Sequence, residues 1–110
     1  MSEESITVIK KEREKLKDKL VENLPVLRAK LDISQGELAE LLGVTRQTIT
    51  GIETKKVKPT WPMVLSILLI FESNPITSIL LGPLGILTVS ALKALGLKKI
   101  FGSMIKTNKE

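Results

Sequence analysis

A chain of 110 residues, 43% hydrophobic, has room for one domain with a modest core and is too apolar for a disordered tail. Cys, His and Tyr are all absent, which excludes a disulfide framework, a Cys-ligated zinc site and the side chain that most often serves as general base or metal ligand. Seventeen basic residues against twelve acidic ones give a net charge of +5, which favours a polyanionic partner, either nucleic acid or an anionic membrane face.

The charge is unevenly spread. Residues 1–30 carry eight basic and six acidic groups, residues 31–60 four of each, and residues 61–92 only Glu72. Residues 93–110 hold five Lys and one Glu. The opening Met1-Ser2-Glu3-Glu4 lacks the apolar stretch of a secretory signal, and no Cys is present to carry a lipid, so a cytoplasmic location is expected.

The first predicted element is a helix over residues 5–22 with Ser5 as its cap. Ile9, Arg13, Leu16, Leu20 and Leu24 fall on one helical face, and Lys and Glu cover the rest as a solvated surface. Pro25 interrupts the pattern. It suits the first turn of a second helix over residues 24–31, with Asn23 as the cap.

Ser34 and Glu37 then form a capping box, and Leu38, Leu41 and Leu42 supply the apolar face of the helix they open. Gly43 is the stop, where a left-handed backbone is easiest. Thr45 caps the next helix, with Ile49 and Ile52 inward. Helix, short turn containing Gly, helix is a helix-turn-helix unit.

The run from Ile33-Ser34-Gln35-Gly36-Glu37-Leu38-Ala39 through Gly43-Val44-Thr45-Arg46-Gln47-Thr48-Ile49 resembles the phage repressor/Cro (Xre-type) helix-turn-helix family. The likeness reaches back to Leu27-Arg28 and on through Ile52-Glu53, Lys55-Lys56 and Pro59-Thr60, covering residues 24–71. Ala39 is small enough for two helices to cross, Gly43 makes the turn, and Val44, Ile49 and Ile52 fill the shared core. The resemblance implies an all-α, lambda-repressor-like helix-turn-helix domain that binds double-stranded DNA.

Thr60 caps a closing helix that runs to Phe71, with Trp61 and Pro62 in its first turn. Trp61 reads as a core or lid residue rather than a stacking platform for bases. This helix is apolar on nearly every side, where the resemblance implies a side with Lys, Glu or Ala. Asn74-Pro75 breaks the chain, and helices are expected over residues 76–81, 84–95 and 97–105, before a frayed tail at 106–110. The uncharged run 73–92 has the length of a membrane span. Pro75, Gly82, Pro83 and Gly85 divide it into pieces too short to cross, so packing against another subunit is favoured over a purely intramolecular lid and over a membrane role.

Nothing is arranged for catalysis. Ser66, Thr77, Ser78 and Lys93 are scattered, and no paired carboxylates, phosphate loop or dinucleotide fingerprint occurs; the chain is read as a non-enzyme without a cofactor. The parts for DNA recognition are present. In helix-turn-helix geometry the second helix enters the major groove, which offers Thr45, Arg46, Gln47 and Thr50 to the DNA. Arg can bond guanine and Gln adenine bidentately. Lys55, Lys56 and Lys58 suit backbone phosphates. The resemblance implies a phosphate contact for Gln35, whose amide would also brace Gln47. Two positions depart from the family pattern: Gly51 inside the recognition helix, where relatives often carry a long side chain, and Thr54, where they commonly place Gly.

The organisation read from these signals is a charged N-terminal helix (1–22), a helix-turn-helix domain (23–72), an apolar helical extension (73–105) and the tail. The expected function is a homodimeric transcriptional regulator, a repressor on a pseudo-palindromic operator, paired through residues 61–95. The rivals are an antitoxin-like protein-interaction module with autoregulatory DNA binding, and a membrane-tethered regulator.

Overall fold

The computed structural model describes residues 2–96, and these form six helices: α1 (Glu3–Leu31), α2 (Gln35–Leu42), α3 (Arg46–Glu53), α4 (Trp61–Glu72), α5 (Pro75–Ser78) and α6 (Val89–Ala94). No strand occurs among the described residues. The expected helix at 97–105 and the tail at 106–110 lie outside them.

Instead of the two helices expected over residues 5–22 and 24–31, α1 is one continuous helix of 29 residues with Pro25 inside it. Its cap is Ser2, whose hydroxyl accepts from the backbone N–H of Ser5 at 3.1 Å, so Ser5 lies within the first turn. Asn23 caps nothing; its Nδ2 donates to the carbonyl of Lys19 at 2.8 Å. A proline in a helix interior costs about 3 kcal/mol. Leu20 and Leu24 before it and Leu27 after it are all fully buried. Each buried leucine contributes roughly 1.5–3 kcal/mol, so the packing on both sides outweighs the missing hydrogen bond.

The capping box at Ser34 and Glu37 is formed, and Gly43 ends α2 at φ 71°. The buried arc of α2 runs through Leu38, Ala39 and the half-buried Leu42. Leu41, expected on that face, falls beyond its edge and is 63% exposed. Thr45 caps α3 by accepting from the N–H of Thr48 at 3.3 Å, and Ile49 and Ile52 are fully buried. Thr60 caps α4, whose Val64, Ile67, Leu68 and Phe71 point into the core.

The extension differs from its expected form. Among the described residues of the extension only α5 and α6 are helical, and residues 79–88 form turns and bends between them. Asn74 caps α5 through its side-chain oxygen, and Thr88 caps α6. Gly85, at φ 77°, lets the backbone double back so that the N–H groups of Ile86 and Leu87 both reach the carbonyl of Leu81. This folds the extension onto its own chain. Leu81, Ile86, Leu87 and Ala91 join Leu16 and Leu20 of α1 and Phe71 of α4 in one core. Trp61 is half-buried at its edge, with the Arg13 guanidinium 5.3 Å from its ring centroid, a cation–π contact. No helix among the described residues is long and apolar enough to cross a membrane.

Candidate nucleic-acid interface

The interface is built on α3, so its orientation depends on what fixes that helix. Two isoleucines hold its inner side. A polar chain holds its end. The Arg28 guanidinium of α1 donates from Nε to Glu53 Oε2 at 2.7 Å and from a terminal nitrogen to Oε1 at 2.9 Å. Its remaining terminal nitrogen donates to the carbonyl of Ile33 at 3.1 Å. Gln35, at the start of α2, donates from Nε2 to Glu53 Oε1 at 2.9 Å and accepts the Thr50 hydroxyl at Oε1, also 2.9 Å. Ile33, Arg28, Glu53, Gln35 and Thr50 therefore form one chain that ties α1, the loop before α2, α2 and α3 together.

The pair is largely out of water, with side-chain exposures of 17% for Arg28 and 7% for Glu53. Burial pushes the Glu53 carboxyl up, but the hydrogen bonds from Arg28 and Gln35 and the Arg28 charge outweigh it and hold the group below the ordinary carboxylate range. The bond to Glu53 holds the Arg28 guanidinium above its ordinary value. Glu53 is thereby neutralised at the end of α3, where a free carboxylate would repel a phosphate.

This arrangement corrects the expected brace from Gln35 to Gln47. Its amide braces Thr50 and Glu53, not Gln47. Arg28 and Glu53 lie inside the segment that resembles the family, and the sequence alone assigns them no role. The available signal was their place in the pattern: each adjoins a core residue, Leu27 or Ile52, so opposite charges sit on two faces that must approach each other.

The remaining candidates separate into two groups. Arg46, Gln47, Thr50 and Lys56 line one shallow, exposed groove together with Gly51 and Thr54. Lys55 and Lys58 instead line a cleft against α1, beside Lys17, Asp18, Val21 and Glu22. The lysine cluster is thus split across the turn that follows α3. Thr45 is an exposed cap whose hydroxyl lies 3.0 Å from that of Thr48.

That turn explains both departures from the family pattern. The left-handed residue is Lys55, at φ 64°, one position after Thr54, which is not left-handed. The Gly51 carbonyl closes the turn, accepting from the N–H of Lys56 at 2.9 Å and of Val57 at 3.0 Å. A Cβ at position 51 would lie 2.8 Å from Val57 Cγ2, so the glycine allows Val57 to fold over the end of α3.

Residues 27–75, a little under half of the chain, match the family model described as helix-turn-helix. The search of curated proteins and the search of solved structures each found no match.

Proposed function

We propose that the chain, whose residues 27–75 match the helix-turn-helix family model, is a cytoplasmic Xre-type transcriptional repressor that reads a pseudo-palindromic operator as a homodimer. The observation that carries this reading is the locked and presented α3. Arg28, Glu53 and Gln35 fix the helix, while Arg46, Gln47, Thr50 and Lys56 line a single open groove on its outer side. Arg46 and Gln47 read base edges, each bidentate pair discriminating by about 1–3 kcal/mol. Lys56, with Thr45 and the α3 N-terminus, holds the phosphates. Lys55 and Lys58, on the far side of the turn, add backbone contacts at the edge of the footprint.

Repression follows from occupancy: a protein held on a promoter excludes the polymerase. The homodimer reading rests on the apolar side chains that remain exposed on α4, α5, α6 and the turns between them. Two copies related by a twofold axis would set their α3 helices about 34 Å apart, one turn of DNA.

The test is selection of duplexes from a randomised library at about 150 mM salt, where nonspecific binding is screened. An enriched inverted repeat with half-sites about one turn apart is the expected result. Gln47→Ala should relax base preference at one position of each half-site, whereas Lys56→Ala should weaken all duplexes alike and flatten the salt dependence. Loss of the same base preference from both substitutions would overturn these roles. Enrichment only with a co-purifying second protein would favour the antitoxin-like alternative.

A further inference from the structure

Gln47, Thr50, Gly51 and Thr54 stand at i, i+3, i+4 and i+7, one face of a helix, and all four line the open groove. Both threonine hydroxyls on that face are turned back onto the protein. Thr50 donates to Gln35 Oε1 at 2.9 Å, with the Arg46 carbonyl at 3.2 Å. Thr54 donates to the Thr50 carbonyl at 2.8 Å, with the Gly51 carbonyl at 3.3 Å. A threonine carries its hydroxyl and its methyl on the same Cβ, so a hydroxyl folded onto the helix leaves the methyl to face outward. Both residues are exposed. Between them Gly51 contributes no side chain. The outer face of α3 therefore carries two methyl groups on either side of Gly51, where Val57 packs against the helix, set beside the polar Arg46 and Gln47.

From this face we infer that the groove recognises the C5-methyl group of thymine, read by the Thr50 and Thr54 methyls on either side of Gly51. In the major groove only thymine among the four bases presents a methyl, and apolar side-chain contact is the means by which it is distinguished. Thr50 thus specifies a base through its carbon rather than its hydroxyl, and Thr54 becomes a specificity residue. The inference rests on the proposal that α3 enters the major groove, and its test separates the two.

The full chain is titrated with the library-selected duplex, and then with the same duplex carrying deoxyuridine in place of one half-site thymine at a time. Deoxyuridine keeps every hydrogen-bonding group and removes only the methyl. At one or two positions the substitution should weaken binding about fourfold, the factor equivalent to ~0.8 kcal/mol for one methyl-sized group. In a Thr50→Ser, Thr54→Ser double variant, which retains both hydroxyls and their bonds, the thymine and deoxyuridine duplexes should bind equally. Indifference of the native chain to every deoxyuridine would overturn the inference while leaving the DNA-binding proposal intact. So would a deoxyuridine penalty that persists in the serine variant. If no duplex is selected at all, the proposed function fails and takes this inference with it.

Discussion

Gly51 stands inside α3, where a glycine costs a helix up to about 1 kcal/mol against alanine, and its justification lies at Val57. The turn after α3 brings Val57 Cγ2 within 2.8 Å of where a Cβ would be. Gly51→Ala should therefore lose about 1–2 kcal/mol in urea denaturation, because overpacking outweighs the gain in propensity. Combined with Val57→Ala, the same substitution should become neutral or stabilising; an equal loss in both backgrounds would mean that Val57 is not the obstacle. Glu72 poses a different residue-scale question. It is 3% exposed; its Oε1 accepts from the Ser78 hydroxyl at 2.9 Å, and its Oε2 has no hydrogen-bond partner among the described residues. Burial raises the carboxyl above the ordinary range, against a smaller downward pull from Ser78. Folding therefore favours the protonated form, so its contribution is full below the ordinary carboxylate pKa and is lost as pH rises through the folded value. Glu53, held low, has the opposite slope: its contribution is present above the ordinary pKa and is lost as pH falls through the folded value. Glu72→Gln should accordingly gain on the native chain in denaturation measurements as pH is raised from about 4 to 8. A difference that stays constant with pH would place the carboxylate in contact with water.

Between elements, the balance of local and distant forces decides what forms. The proline in α1 is a strong local signal for a break, yet Leu24 and Leu27 bind the helix to the core on both sides of the lost hydrogen bond. Restoring that bond with Pro25→Ala should raise stability by about 2 kcal/mol, roughly 3 from the helix interior less up to about 1 for the freer unfolded chain. A midpoint that falls instead would show that the proline shapes α1 to fit its partners. The same contrast explains what could be read in advance. The unit from Ser34 to Ile52 was legible because its signals act within a few residues: a capping box, a left-handed glycine and a threonine cap. The break that the sequence predicts at residue 23 does not form, because the opposing leucine contacts are tertiary. Leu41 lies outside the core because Ala39, not another leucine, completes the buried arc of α2. The polar chain through Arg28, Glu53 and Gln35 spans 25 and 18 residues, so only the residue types, and not their partners, could be seen in the pattern.

For the molecule as a whole, the open question is the fate of the apolar second half. Part of the answer is internal, since Leu81, Ile86, Leu87 and Ala91 pack on α1 and α4 of the same chain. This changes how the dimer proposal must be tested. A charge at Leu68 would simply unfold the chain, because Leu68 is fully buried. Ile79 and Val89 are 70% and 81% exposed, so aspartate there removes almost no existing packing. In an isolated chain, Ile79→Asp with Val89→Asp should therefore shift stability by no more than about 0.5 kcal/mol per site. In a homodimer the same two charges would meet apolar surface from the other copy, and sedimentation should fall from the mass of two chains to that of one. Affinity for a duplex with two half-sites should drop steeply, while affinity for a single half-site should barely change, because only the first depends on linkage between two α3 helices. A double-aspartate chain that still sediments as a dimer would clear these two residues of the interface and move it to another face. A native chain that sediments as one copy at micromolar concentration, yet selects an inverted repeat, would mean that the two copies meet only on the DNA.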